Sequence, residues 1–293
     1  MFTKAVVATD LSPASHSLVE GTNWLKDLGV SEIVLVHCFG AVEASSFAFA
    51  RESIEYERLL EEQGARIRAN GFTVTVRDYT GSPQHGIQTV ATETGADLIV
   101  VGSHGHAIRS GMHLGGRAWG IIHHAVRPVL VLRLEPHDEQ GARLIETGAG
   151  RMTDSLLFAT DFSETANRSI PFLERLIDKG TSRVTIAHIQ DQMIIDPYLL
   201  DKRDEFMQID NERLSALQER IKLSGPQRID VELGYGKPSM ELIRLTETVN
   251  PSLLIMGTQG KGLVRELLMG SVSHTVTSHT RCPVLLIPPE TRA

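Results

Sequence analysis

Short runs of β-branched and aliphatic residues recur along the chain, each followed by a longer stretch with apolar residues three, four or seven positions apart. In the first half the apolar runs predict strands at about 4–9, 32–38, 72–78, 97–102 and 129–134. Between the first two, Leu18, Leu25 and Leu28 fall at i, i+7 and i+10, one face of a helix. Ser12 and Pro13 supply an N-cap and a first-turn proline there. The second half repeats the pattern: Ser163 can cap, Ile170, Leu173 and Ile177 mark a buried face, and Leu214, Leu217 and Ile221 form a second stripe.

The halves also match residue by residue. AVVATDLSPAS at 5–15 resembles SLLFATDFSET at 155–165, and IVLVHC at 33–38 resembles VTIAHI at 184–189. LIVVGSHGH at 98–106 resembles LLIMGTQGK at 253–261. Asp10 maps to Asp161 and Gly102 to Gly257, offsets of 151 and 155, so the second copy carries about four extra residues after its second strand. The strands are nearly continuous in apolar residues, as required when helices cover both faces of a sheet. Five strands with four crossovers imply a parallel sheet. The chain therefore reads as α/β, two tandem doubly wound five-stranded parallel sheets of order 3-2-1-4-5. The domains are set at 1–135 and 152–293, and the polar, glycine-bearing stretch 135–152 reads as the linker.

Composition narrows the partners. Net charge is −7 with no basic block, which argues against nucleic acid. Two cysteines, Cys38 and Cys282, lie in or beside apolar segments and read as small buried residues. No apolar run approaches the ~18–20 residues of a membrane span, and the start MFTKAVVATD lacks the core of a signal peptide. The expectation is a soluble, cytoplasmic protein with no membrane partner.

In this sheet type ligands sit beyond the strand ends where strand order reverses, here between the first and fourth strands. Asp161 ends the first strand of the second half and Gly257 ends the fourth. Gly257 and Gly260 read as positions for positive φ and close backbone approach. Gly270-Ser271 opens a helix whose free N–H groups favour an anion. Asp161 suits ribose or base hydrogen bonding. Turn geometry alone also explains such glycines, and Asp161 can simply belong to the helix entry.

The pattern G-x2-G-x9-G-S after a strand, with the strand-end Asp and a later R-x-P-V, resembles the universal stress protein family, twice along the chain. The resemblance implies an adenine nucleotide alpha hydrolase-like fold. It also implies nucleotide contacts from Thr160, Asp161, Ile189, Met256, Gly257, Gly260, Gly270, Ser271 and Val272. The ligand implied is ATP, or ADP or AMP, with magnesium left open. The role implied is regulatory, in stress response, with slow or absent hydrolysis and no catalytic residue assigned. The fifth strands, at 129–134 and 284–288, are expected to pair as an intramolecular pseudo-dimer, and a homodimer is compatible with the sequence.

In the first half Asp10, Gly102, Gly105 and Gly115 keep the spacing, but Gly116 stands where the family has Ser or Thr. Arg117 follows, either a bidentate phosphate donor or a solvent-facing residue. The first site is expected to be weaker or altered. His104, His106, His113, His123 and His124 crowd this region; their spacing matches no established metal site, and surface histidines are the favoured reading. His37 and His188 read as satisfied histidines at the sheet edge, with nucleotide contact as the alternative. An enzyme, either a weak ATPase or an adenylating relative, is the competing class. It lacks support from G-x4-G-K-[ST], S-G-G-x-D-S or H-x-G-H, since Ser103 takes the first histidine position of the last. A dimerising module without ligand is the third.

Overall fold

The structure is a computed structural model that describes residues 2–40, 49–103, 114–137, 141–144, 150–198, 202–260 and 269–290. The chain divides into two compact units, Met1–Ile145 and Glu146–Ala293.

The first unit contains β1 (Lys4–Thr9), α1 (Pro13–Gly21), β2 (Glu32–Phe39), α2 (Phe49–Ala69), β3 (Thr73–Thr80), α3 (Pro83–Glu93), β4 (Leu98–Gly102), α4 (Gly116–His123) and β5 (Val129–Leu132). Its sheet is parallel throughout, in the order β3-β2-β1-β4-β5. That is the order expected from the sequence. The stripe Leu18, Leu25 and Leu28 is buried, but not on one helix: α1 ends at Gly21 and a 3₁₀ turn, Thr22–Lys26, completes the segment. Ser12 stands at the cap position before Pro13, yet its hydroxyl donates to Asp10 Oδ1 at 2.6 Å rather than capping the helix.

Residues read as linker hold structure of their own. β6 (Leu134–His137) and β7 (Gly141–Leu144) form an antiparallel hairpin that lies against α1 within the first unit. Ser103 Oγ accepts the Leu134 amide at 3.0 Å and ties the hairpin to the end of β4.

The second unit contains β8 (Ser155–Ala159), α5 (Glu164–Ile177), β9 (Arg183–Asp191), α6 (Gln192–Tyr198), α7 (Arg203–Lys222), β10 (Arg228–Gly236), α8 (Pro238–Val249), β11 (Leu253–Gly257), α9 (Ser271–His279) and β12 (Val284–Ile287). Its sheet repeats the order as β10-β9-β8-β11-β12, again parallel. Ser163 caps α5 by accepting the Ala166 amide at 3.2 Å, and Ile170, Leu173 and Ile177 pack inward from that helix. The central strands are buried on both faces: Leu156, Leu157, Phe158, Leu253, Leu254 and Ile255 are all fully inaccessible. This double burial is why their sequences run apolar without alternation. It also leaves the strand ends as the place where polar groups can gather.

Candidate functional site

The chain leaves β8 through a corner built by its own side chains. Phe162 takes a left-handed conformation, φ 58°, although it is not glycine. Two side-chain bonds hold it there. Thr160 Oγ1 accepts the Phe162 amide at 3.0 Å, and Asp161 Oδ1 accepts the Ser163 amide at 3.0 Å. Such turns let Asp and Thr substitute for backbone acceptors. The first unit makes the same corner at Leu11, φ 58°, with Thr9 Oγ1 to the Leu11 amide at 3.1 Å and Asp10 Oδ1 to the Ser12 amide at 3.1 Å.

Opposite this corner, β11 ends at Gly257. Neither Gly257 nor Gly260 has positive φ, contrary to the expectation from sequence. Their need is steric. A Cβ on Gly257 would lie 2.9 Å from Thr165 Cγ2 and 3.3 Å from the backbone at the start of α5. A Cβ on Gly260 would lie 2.6 Å from Asp161 Oδ2. The loop is closed at its base by the Gly270 amide donating to the Thr258 carbonyl at 2.7 Å, and Ser273 Oγ donates to the same carbonyl at 2.8 Å. Ser273 was not anticipated from the sequence, although it follows Gly270-Ser271 by two positions. Ser271, exposed, is the first residue of α9. Lys261 and Arg265, which read in the sequence as a solvated loop face or as cations able to neutralise phosphate, lie outside the described residues.

The two segments bound a cavity of about 620 Å³. Thr160 and Asp161 form its wall at the β8 corner, and Ile189 lines it from β9. Met256, Gly257 and Gly260 contribute from the end of β11, and Gly270, Ser271 and Val272 from the start of α9. All nine residues named for this half thus face one space.

That space also holds His188 and, around it, Gln190, Asp210 and Arg213, which the sequence did not single out. His188 lies on β9 inside the sheet rather than at its edge, and its Nδ1 lies 2.8 Å from the Thr160 carbonyl oxygen, which assigns the Nδ1 proton to that bond. Its ring packs 4.8 Å from that of Phe162, so the left-handed corner rests on it. His188 Nε2 is 3.4 Å from Asp210 Oδ2 of α7, an ion pair when the imidazole is protonated. Gln190 Nε2 donates to the same oxygen at 2.8 Å, and Arg213 Nη1 reaches Asp210 Oδ1 at 3.3 Å. No spacing rule links residue 188 to residue 210; only the orientation of α7 brings them together.

In the first unit the equivalent cavity is about 300 Å³ and is lined by Asp10, Gly102, Gly115 and Gly116. Gly105 lies outside the described residues. Arg117 also lines the cavity, so the phosphate-facing alternative for this residue has the required placement. His37 Nδ1 is 2.9 Å from the Thr9 carbonyl, matching His188. Cys38 takes the place of Ile189; burial pushes its thiol up to about 11, opposed by the nearby positive charge of Arg117. A Cβ on Gly116 would meet nothing within 4 Å.

Of the histidine cluster, His104, His106 and His113 lie outside the described residues. His124 Nδ1 is bonded to the Gly120 carbonyl at 2.9 Å, and burial, then the neighbouring His124 charge, lowers the pKa of His123. Among the described residues no group of three or more His, Cys, Asp or Glu is arranged to hold a metal. None of the described helices is long and apolar enough to cross a membrane.

Comparison with known proteins bears on the family and the fold. The family profile described as the universal stress protein family fits residues 1–133 and again residues 152–288. A universal stress protein of Methanocaldococcus jannaschii is 28% identical over 160 residues, covering 46% of this chain and 95% of its own. One from Mycobacterium tuberculosis is 27% identical over 195 residues, 65% of this chain and 61% of its own. Among solved structures, a universal stress protein from Archaeoglobus fulgidus superposes with a TM-score of 0.75 at 24% identity, covering 97% of this chain and 98% of that one. One from Pseudomonas aeruginosa gives 0.65 at 14% identity, with 99% and 94% covered. At these identities the two structures speak for the fold.

Proposed function

This chain belongs to the universal stress protein family, matched once in each half, and on that premise we propose that its second unit binds an adenine nucleotide as a regulatory ligand. The observation that supports this reading is convergence: the nine residues implied by the family resemblance come from four separate segments and line one cavity of about 620 Å³. That volume is ordinary for a small-molecule site, which falls at roughly 300–1,000 Å³.

The chemistry assigns the parts of the ligand. A carboxylate repels phosphate, so Asp161 takes ribose hydroxyls. Phosphates go to the start of α9, where the free amides and the Ser271 hydroxyl can donate. Ile189 packs on the base. ATP, ADP and AMP share these features, and a magnesium ion would accompany a triphosphate. The first unit, with Gly116 in place of the hydroxyl and the smaller cavity, is proposed as the weaker or altered site. The domains are taken as 1–135 and 152–293, with the remainder of the β6–β7 hairpin attached to the first.

Calorimetric titration of the full chain with ATP, ADP and AMP tests the reading. Ser271→Ala should weaken binding about three- to tenfold, the loss of one ordinary hydrogen bond. Absence of heat with all three nucleotides would overturn it. Single-turnover assays with radiolabelled ATP test the regulatory role: fast, magnesium-dependent hydrolysis lost in Asp161→Ala would make the protein an enzyme instead.

A further inference from the structure

The two units surround their second-strand histidines differently but use them alike. Thr9 lies opposite His37, and Ala159 lies opposite Ala187, one residue before Thr160 and His188, so the two histidines are equivalent. His37 sits among rings, 4.6 Å from Phe39 and stacked at 5.7 Å on Tyr56. His188 sits among polar groups, with Nε2 3.4 Å from Asp210 Oδ2, an oxygen that also accepts from Gln190. Both imidazoles are buried. What the two surroundings share is one bond, from Nδ1 to the carbonyl of the threonine at the strand tip, 2.9 Å to Thr9 and 2.8 Å to Thr160.

That threonine immediately precedes the strand-end aspartate. The side-chain bonds of Thr160 and Asp161 fall on the amides of Phe162 and Ser163, so they shape the turn from within and travel with it. Where the turn stands against the sheet is set by other bonds. The Thr160 amide is tied to β9 through the Ala187 carbonyl at 2.9 Å, and its carbonyl is tied to β9 through His188. The same ring packs 4.8 Å from Phe162, the left-handed residue, which the Arg213 guanidinium also approaches, at 5.5 Å. One imidazole thus holds the residue before Asp161 and the residue after it. The carboxylate between them inherits that placement, with Oδ2 turned towards Gly260.

We propose that His188 is a positioning residue for the ligand of the second unit: its Nδ1–H, by holding the Thr160 carbonyl, sets the Asp161 carboxylate where it accepts ribose hydroxyls. The inference rests on the nucleotide reading of the same cavity. It is specific to one ring nitrogen. An asparagine amide stands nearly in the place of Nδ1 and a glutamine amide in that of Nε2. The two substitutions therefore keep a polar side chain and separate the bond to Thr160 from the approach to Asp210.

Calorimetry of the full chain with ADP and 2′,3′-dideoxy-ADP is the test, in an Asp10→Ala background that removes the first unit's carboxylate. With His188 intact, ADP should bind at least about tenfold more tightly, because only ADP offers hydroxyls to Asp161. His188→Asn should preserve that ratio to within about threefold. His188→Gln should bring the two ligands within about threefold of each other, weakening ADP and sparing the dideoxy nucleotide. A general loss of stability would weaken both alike and leave the ratio standing. Ratios that are equal in the two variants or reversed between them, or failure of either variant to fold, would overturn the assignment while the nucleotide site stood. Equal affinities for the two ligands with His188 intact would do the same. If neither nucleotide binds, the nucleotide reading fails and the positioning role fails with it.

Discussion

Gly260 passes so close to Asp161 that a single added Cβ would lie 2.6 Å from the carboxylate oxygen Oδ2. The two residues come from segments a hundred positions apart and meet at the switch point of the second sheet. Gly260→Ala should therefore displace the Asp161 carboxylate while leaving the core untouched. Calorimetry should show adenine-nucleotide affinity falling about tenfold or more, with thermal midpoint changed by no more than a few degrees.

Gly257 should behave in the opposite way. Its missing side chain makes room for Thr165 and for the backbone at the start of α5, which cannot rotate aside. Gly257→Ala should destabilise the second unit by about 1–3 kcal/mol, the usual cost of overpacking. Denaturant unfolding of the two alanine variants side by side separates the glycine that serves packing from the one that serves the carboxylate.

Gly116 offers a gain. Nothing lies within 4 Å of the Cβ it lacks, so Gly116→Ser introduces a hydroxyl at the start of α4 without a clash. We expect first-unit nucleotide affinity to rise about three- to tenfold, one hydrogen bond's worth, with stability unchanged within roughly 0.5 kcal/mol. A two-site titration compared with wild type checks this.

Cys38 should be a slow thiol. Its pKa is raised from 9.0 to about 11, first by burial, with Arg117 acting against the rise. At pH 8 the thiolate fraction is then about a hundredfold below that of an unperturbed thiol, and alkylation of the native protein should slow in proportion. The folded state holds this proton more tightly than the unfolded chain, so the associated stability is complete below pH 9 and declines as pH rises towards about 11. Cys38→Ala should flatten that part of the stability profile, measured by denaturant unfolding at pH 8, 9, 10 and 11.

What the sequence disclosed follows from what periodicity and local motifs can carry. The duplicated sheet was readable because buried central strands such as Leu156–Phe158 demand continuous apolar runs. Asp161, Gly257, Gly260, Gly270 and Ser271 were readable because they sit at strand tips and a helix start, where a local motif fixes their place. Asp210 was not: it lies in the middle of α7, and its approach to His188 depends on how that helix is rotated. Extra residues after the second strand of the second copy showed in the shifted offset, but not that this stretch forms α6. The β6–β7 hairpin escaped because two four-residue strands in a polar, glycine-bearing stretch resemble a linker. For Gly257 the close approach was readable and the positive φ was not: a glycine that spares a neighbour and one that bends the chain are written with the same letter.

The left-handed corners at Leu11 and Phe162 bear on how a ligand would be held. Each is locked by the threonine and aspartate of its own turn, so the carboxylate is aimed when folding ends and needs no partner to orient it. An occupant meets a fixed docking point and loses little of its interaction to ordering the protein. Tighter variants should accordingly differ in how slowly the ligand escapes, while arrival stays governed by diffusion and the width of the cavity mouth.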